Sequence, residues 1–129
     1  MNTMRNPKAV HAPVGAYSHT VGVPPGARWV AVAGQVGINP RGVLAKGIRR
    51  QAEQAFRNVL ACLREQGMRK QDLVKINVFL TDARFIAEYR AARAKLLGDG
   101  VRPASTLLIV AGLASPDMLI EVEAWAAKG

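Results

Sequence analysis

The sequence predicts an α+β fold, a mixed β-sheet with two helices packed on one of its faces. Three observations predict it. The segment Met118-Leu-Ile-Glu-Val-Glu-Ala-Trp125 alternates strictly, with Met118, Ile120, Val122 and Ala124 on one face and Leu119, Glu121, Glu123 and Trp125 on the other. Two segments, about 46–66 and 82–97, change to a helical period. Apolar runs suited to strands stand before, between and after those helices, giving the order strand, strand, helix, strand, helix, strand, strand.

Taken in order, residues 1–16 read as loop, punctuated by Pro7, Pro13 and Gly15. A short strand is expected in the His-Thr-Val-Gly-Val run after Tyr17, and Pro24-Pro25-Gly26 turns the chain. Trp29-Val-Ala-Val-Ala33 is a compact strand ending at Gly34, and Asn39-Pro40-Arg41-Gly42 is a turn. In the first helix Ile48, Ala52, Ala55, Phe56, Val59, Leu60 and Leu63 form one stripe, and Gly67 stands where a left-handed cap belongs. The strand 72–80 points Val74, Ile76, Val78 and Leu80 one way and Lys75, Asn77 and Phe79 the other. Asp82 offers an N-cap to a second helix with the stripe Phe85, Ile86, Tyr89, Ala92, Leu96 and Leu97, stopped at Gly98. The segments 102–110 and 118–125 then read as two strands with a short connection, Leu113 to Asp117.

At 129 residues and 13.9 kDa the chain is long enough for one core, so residues 1–129 are expected to be a single domain. No apolar run approaches the roughly 20 residues of a membrane span, and the N-terminus lacks the apolar stretch of a signal peptide. One cysteine, Cys62, excludes an internal disulfide and makes the cytoplasm the expected compartment. Cys62 lies beside the helical stripe and reads as a packing residue; His11 and His19 read as exposed loop residues. Two histidines and one cysteine, far apart, provide no metal spacing. The net charge of +9 raises a nucleic-acid reading, but the basic residues are spread along the chain and aromatics make up only 5%. A basic surface is the better reading.

Two helices cover one face of a sheet. The other is expected to carry Trp29, Lys75, Asn77, Phe79, Leu107, Ile109, Leu119, Glu121, Glu123 and Trp125, too apolar to leave in water. Oligomerisation through this face is the economical solution, with small-molecule clefts where subunits meet.

The pieces Gly15-Ala-Tyr17-Ser-His, Ala33-Gly-Gln-Val-Gly-Ile-Asn-Pro40, Gln54-Ala-Phe-Arg-Asn-Val59, Asp72 to Asp82, Arg102-Pro-Ala-Ser-Thr106 and Ile120-Glu-Val-Glu-Ala124 together resemble the RidA (YjgF) family. The resemblance runs from about residue 10 to the C-terminus. It implies a chorismate-mutase-like fold, a cytosolic homotrimer and ligand sites in clefts between subunits. It also implies cofactor-free hydrolysis of reactive enamines and imines, such as 2-aminoacrylate, to 2-keto acids and ammonia. In such deaminases an arginine of a Pro-Ala-Arg-Ser motif pairs with the substrate carboxylate and a glutamate of the last strand handles the attacking water. The glutamate falls on Glu121, the cleft tyrosine on Tyr17, and a cleft serine on Ala33, next to Gly34.

The departures matter as much. The motif here is Pro103-Ala104-Ser105-Thr106, so a hydroxyl stands where a guanidinium would grip a carboxylate through two charge-assisted bonds. Leu107 replaces a cysteine, and Tyr89 stands at about the position of an asparagine. The chain thus resembles an arginine-lacking Rid subfamily, for which 2-aminoacrylate is a doubtful substrate. Three readings follow: an enamine/imine hydrolase of altered specificity, a non-catalytic metabolite-binding trimer, and, last, an endoribonuclease. Glu121 is either the base or an ion-pair partner of Lys75, and Arg102 is a candidate for the missing charge. Light scattering at micromolar concentration is expected to give about three times 13.9 kDa; a monomer mass would remove the argument from the uncovered face.

Overall fold

The computed structural model describes residues 1–129. Strands β1 (Thr3–Arg5), β2 (Thr20–Gly22) and β3 (Arg28–Val36) precede helix α1 (Ile48–Glu65). Strand β4 (Leu73–Leu80), helix α2 (Ile86–Leu97) and strands β5 (Ala104–Ile109) and β6 (Ile120–Lys128) complete the chain. The main sheet has the order β3-β6-β4-β5, and β1 pairs with β2 in a separate antiparallel ribbon. No helix is long and apolar enough to cross a membrane.

β6 is bonded on both sides, antiparallel to β3 and to β4, while β4 and β5 run parallel around the α2 crossover. Of the expected inward set, Ile120, Val122 and Ala124 are buried, joined by Ala126, while Met118 is half-buried and precedes the strand. β5 and β6 are consecutive in sequence but not adjacent, because β4 lies between them. Alternation reveals which residues of a strand share a face; it says nothing of the neighbouring strand.

α1 buries Ala52, Ala55, Phe56, Val59 and Leu63 against the sheet and α2. It ends in the expected glycine cap. Gly67 takes φ +72, its N–H donates to Arg64 O at 3.0 Å, and the Met68 N–H reaches back to Leu63 O at 2.8 Å. Asp82 accepts from the Arg84 N–H at 2.8 Å and opens a tight turn, Ala83–Phe85, before α2 begins.

Three further features differ from expectation. The N-terminal segment contains β1, too short to leave an alternating signal. β3 does not stop at Gly34 but runs to Val36 through a bulge: Val32 to Gln35 on β3 spans Ala124 to Val122 on β6. In β5, Ser105, Leu107 and Ile109 register with Ile76, Val78 and Leu80 of the helix-covered face. Thr106 and Leu108 therefore face outward, and Lys75 Nζ donates to Thr106 Oγ1 at 2.7 Å. Leu107 and Ile109 were expected on the open face. Both faces of β5 are apolar, so its sequence does not encode which one turns to the helices.

The open face otherwise holds the expected set, including Trp29, Phe79, Glu121 and Trp125. Trp29 and Trp125 are 51% and 45% exposed with ring centroids 6.5 Å apart, leaving an uncovered aromatic patch.

The turn into β6 is held by Gln51. This residue is 2% exposed; its amide donates to Ala45 O at 3.1 Å and Asp117 O at 2.9 Å, and its Oε1 accepts the Leu119 N–H at 2.9 Å. Gln51→Ala is expected to lower unfolding free energy by about 1–3 kcal/mol, since three main-chain groups lose their partner. Urea denaturation at fixed protein concentration measures it.

Candidate functional site

A cavity of about 330 Å³ opens between the 14–17 loop, α2 and the edge strand β5. The loop is pinned there because the Ser18 N–H donates to Pro103 O at 3.2 Å, just before β5 starts. That bond delivers Tyr17, whose hydroxyl accepts the Val14 N–H at 3.2 Å. Ser105 and Leu107 enter from β5, and Tyr89 from α2, where its ring stacks on Phe56 with centroids 6.1 Å apart. Four of the residues singled out from sequence, Tyr17, Tyr89, Ser105 and Leu107, thus line one cavity.

Two residues not anticipated line it as well: Arg90 and Arg93. Arg93 is buried, and its Nη2 donates to Val101 O at 3.0 Å. Burial holds its pKa below the ordinary guanidinium value, opposed by the neighbouring Tyr89. Burial likewise raises the Tyr89 phenol, opposed by the Arg93 charge and by polar contact with Ser105. One signal for Arg93 was present. It sits four residues after Tyr89 and seven after Ile86, on the inward stripe of α2, where an arginine is out of place unless its head group is used.

Arg102, the sequence candidate for the missing charge, is exposed and donates through Nε to Asp99 O at 3.0 Å, outside the cavity lining.

Glu121, Gly34 and Ala33 form a second cluster. Glu121 registers with Phe79 and Val36 on the open face, and a methyl group on Gly34 would overlap its carboxylate. The bulge in β3 thus makes room for this side chain. Lys75, engaged with Thr106, forms no ion pair with Glu121 or Glu123 in the chain. Ala33 is exposed and borders a groove beside Cys62 of α1.

The two clusters do not meet within one chain. Ser105 and Glu121 lie on opposite faces of the sheet, on strands separated by β4. His11 and His19 do come together, with ring centroids 5.2 Å apart. However, His11 Nδ1 and His19 Nε2 lie 2.8 and 2.7 Å from the carbonyls of Ala12 and His11, where they brace the loop. Neither histidine lines the cavity. No three His, Cys, Asp or Glu side chains gather as metal ligands.

Comparison with known proteins places this arrangement. A family model described as Endoribonuclease L-PSP matches residues 8–128. A RutC family protein of Pyrococcus abyssi is 35% identical over 118 residues, 90% of this chain and 89% of that one. The Rid-family protein YyfB of Yersinia pestis, of unknown function, superposes with a TM-score of 0.86 at 28% identity over 98% of both chains. The chain belongs to the RidA/YjgF family. Its fold is accordingly the chorismate-mutase-like one that the resemblance implied. Among the relatives, the 2-iminobutanoate/2-iminopropanoate deaminase of Salmonella typhimurium is 31% identical over 102 residues, 77% of this RidA-family chain and 79% of the deaminase.

Gly34→Ala is expected to turn the Glu121 carboxylate off the bulge while leaving stability within about 1 kcal/mol, because the overlapped atoms end a flexible side chain. A crystal structure of the variant with urea denaturation measures both. An unmoved carboxylate over a broken β3–β6 ladder is the contrary result.

Proposed function

We propose that this RidA-family protein hydrolyses reactive enamine or imine metabolites to carbonyl compounds and ammonia in clefts between the subunits of a homotrimer. Its specificity differs from that of the arginine-bearing deaminases because Ser105 supplies a neutral hydroxyl at the motif position. The supporting observation is the separation of the two clusters. The cavity residues line one sheet edge, β5, and the Glu121–Gly34 cluster lies beside the other, β3. Packing the open face beside β3 of one copy across the β5 edge of the next would set a neighbour's carboxylate at the mouth of the cavity. The same packing would cover Trp29 and Trp125.

In such a cleft Tyr17, Tyr89, Ser105 and Leu107 hold the substrate, with Ala33 and Gly34 bordering it from the neighbour. An enamine first tautomerises to the imine. Starting from the protonated imine, the Glu121 carboxylate takes a proton from water as the oxygen bonds to the C=N carbon and the C=N π pair moves to nitrogen, giving a neutral carbinolamine. Glu121 then returns its proton to the amine, and its carboxylate takes the hydroxyl proton as the C–N bond breaks, releasing ammonia and the carbonyl compound. Tyr17 and Ser105 orient the polar end of the substrate.

A second reading, a trimer that binds a metabolite without turnover, draws on the single neutral donor at position 105. The RNA reading draws on net charge and on the description of the matching family model as an endoribonuclease, and the cavity lining holds no histidine to support it. Glu121→Gln separates the first two: it keeps shape and removes the base, so turnover should fall roughly 10²–10⁴-fold with the trimer mass retained. Imino acids generated by an amino-acid oxidase, with semicarbazide as competing trap, provide the assay. Unchanged turnover in the variant refutes the catalytic assignment. No turnover by the native protein, with a trimer that falls apart on substitution, leaves Glu121 a structural residue.

A further inference from the structure

The cavity holds a charge that neither its fold nor its proposed chemistry has used. Arg93 is 4% exposed and takes part in none of the chain's ion pairs. Of its five N–H donors, Nη2 is engaged with the Val101 carbonyl at 3.0 Å and the group also meets the neutral Tyr89 hydroxyl, which leaves donors without an anionic partner. Asp99 acts on it favourably but forms no ion pair, and Arg102 acts on it unfavourably. Buried charges are ordinarily paired, because the desolvation that burial imposes is otherwise uncompensated. Here the unpaired guanidinium borders a cavity rather than solid core. Arg90, one turn earlier on α2, lines the same cavity and is exposed, adding positive potential at its rim. Tyr89, directly before Arg90, lines the same cavity and makes polar contact with both Ser105 and Arg93.

We propose that Arg93, with Arg90 at the rim, is the anchor for a substrate carboxylate, so that the acid group is gripped from helix α2 instead of from position 105 of β5. This inference rests on the proposed site and names the class of molecule it takes: a small carboxylic acid with an apolar body. The rest of the lining sets that body, since Val14, Ala16, Ile86, Ala94 and Leu107 present hydrocarbon. Inorganic phosphate would satisfy the guanidinium but leave those walls against a hydrated anion. Moving the anchor from strand to helix also changes the direction from which the acid enters. A different set of imino acids from that of the arginine-bearing deaminases follows from this geometry.

The test is calorimetric and needs no turnover. The full-length protein is titrated with 2-oxobutanoate, with its neutral amide 2-oxobutanamide, and with inorganic phosphate, at low salt. The acid is expected to bind at least about tenfold more tightly than the amide and more tightly than phosphate. Arg93→Met should weaken acid binding by roughly 10–100-fold and leave amide binding little changed, while Arg93→Lys restores part of the loss. Arg102→Gln, outside the cavity, should bind as the native protein does.

Equal affinity for acid and amide in the native protein overturns the proposal, as does no binding of the acid at all. So does acid binding that survives Arg93→Met or is lost in Arg102→Gln. Phosphate binding as tight as that of the acid shows a general anion site and overturns the carboxylate assignment. Should Arg93→Met not fold, the acid–amide comparison on native protein and the Arg93→Lys titration decide. The hydrolytic reading fails separately: if Glu121→Gln leaves turnover intact, the Arg93 result stands unaffected.

Discussion

The structure depends on one strand having neighbours on both sides. β6 bonds to β3 and β4 through antiparallel ladders, and its inward side chains form the middle of the core. Its register fixes the faces of both neighbours. Val122 opposite Val78 places the apolar half of β4 under the helices, and Glu121 opposite Phe79 places the carboxylate on the other side. Because α1 and α2 both lie on the first side, the second remains open, with its tryptophans half exposed. The carboxylates of β6 are therefore not decoration on a solvated surface. They stand on a face whose apolar content calls for another protein surface.

That constraint also divides the candidate site. A residue on β5 directed toward α2 and a residue on β6 directed away from α1 are separated by the sheet itself. No side-chain rotation joins them. What each half contributes is complementary: the α2 side has aromatic hydroxyls, hydrocarbon and two guanidinium groups, and the β6 side has a carboxylate with no cationic partner. The homotrimer proposed above would bring these complementary halves of neighbouring copies together.

Much of this was legible in the chain. The alternation of 118–125, the stripe of α1 and the cap at Gly67 each carry a local physical signal, and each is found in the fold; Asp82, expected to cap α2, instead caps the tight turn Ala83–Phe85 that precedes it. β5 was not legible, because Leu107, Leu108 and Ile109 make both of its faces apolar and only pairing with β4 decides between them. The bulge at Ala33 and Gly34 was hidden for a related reason. A glycine in a strand pattern marks either an end or a close approach, and here it is the approach of Glu121. Tyr17, Tyr89, Ser105 and Leu107 were found through the family resemblance, and the fold brings them to one cavity. Arg93 was passed over because a helical stripe is read from its apolar members. An arginine among them looks like an interruption.

The serine at 105 and the arginine at 93 are best understood together. Tyr89 touches both, so an arginine at 105 would set a second guanidinium in the cavity that already holds the first. At close range and low effective dielectric, two like charges repel by several kcal/mol, and both would also have lost their hydration. A single buried guanidinium avoids that repulsion. With Arg93 supplying it from α2, position 105 is better occupied by a small neutral donor that leaves room for Tyr89 and for the ligand. On this argument the departure at position 105 does not strip the site of its anion-binding capacity.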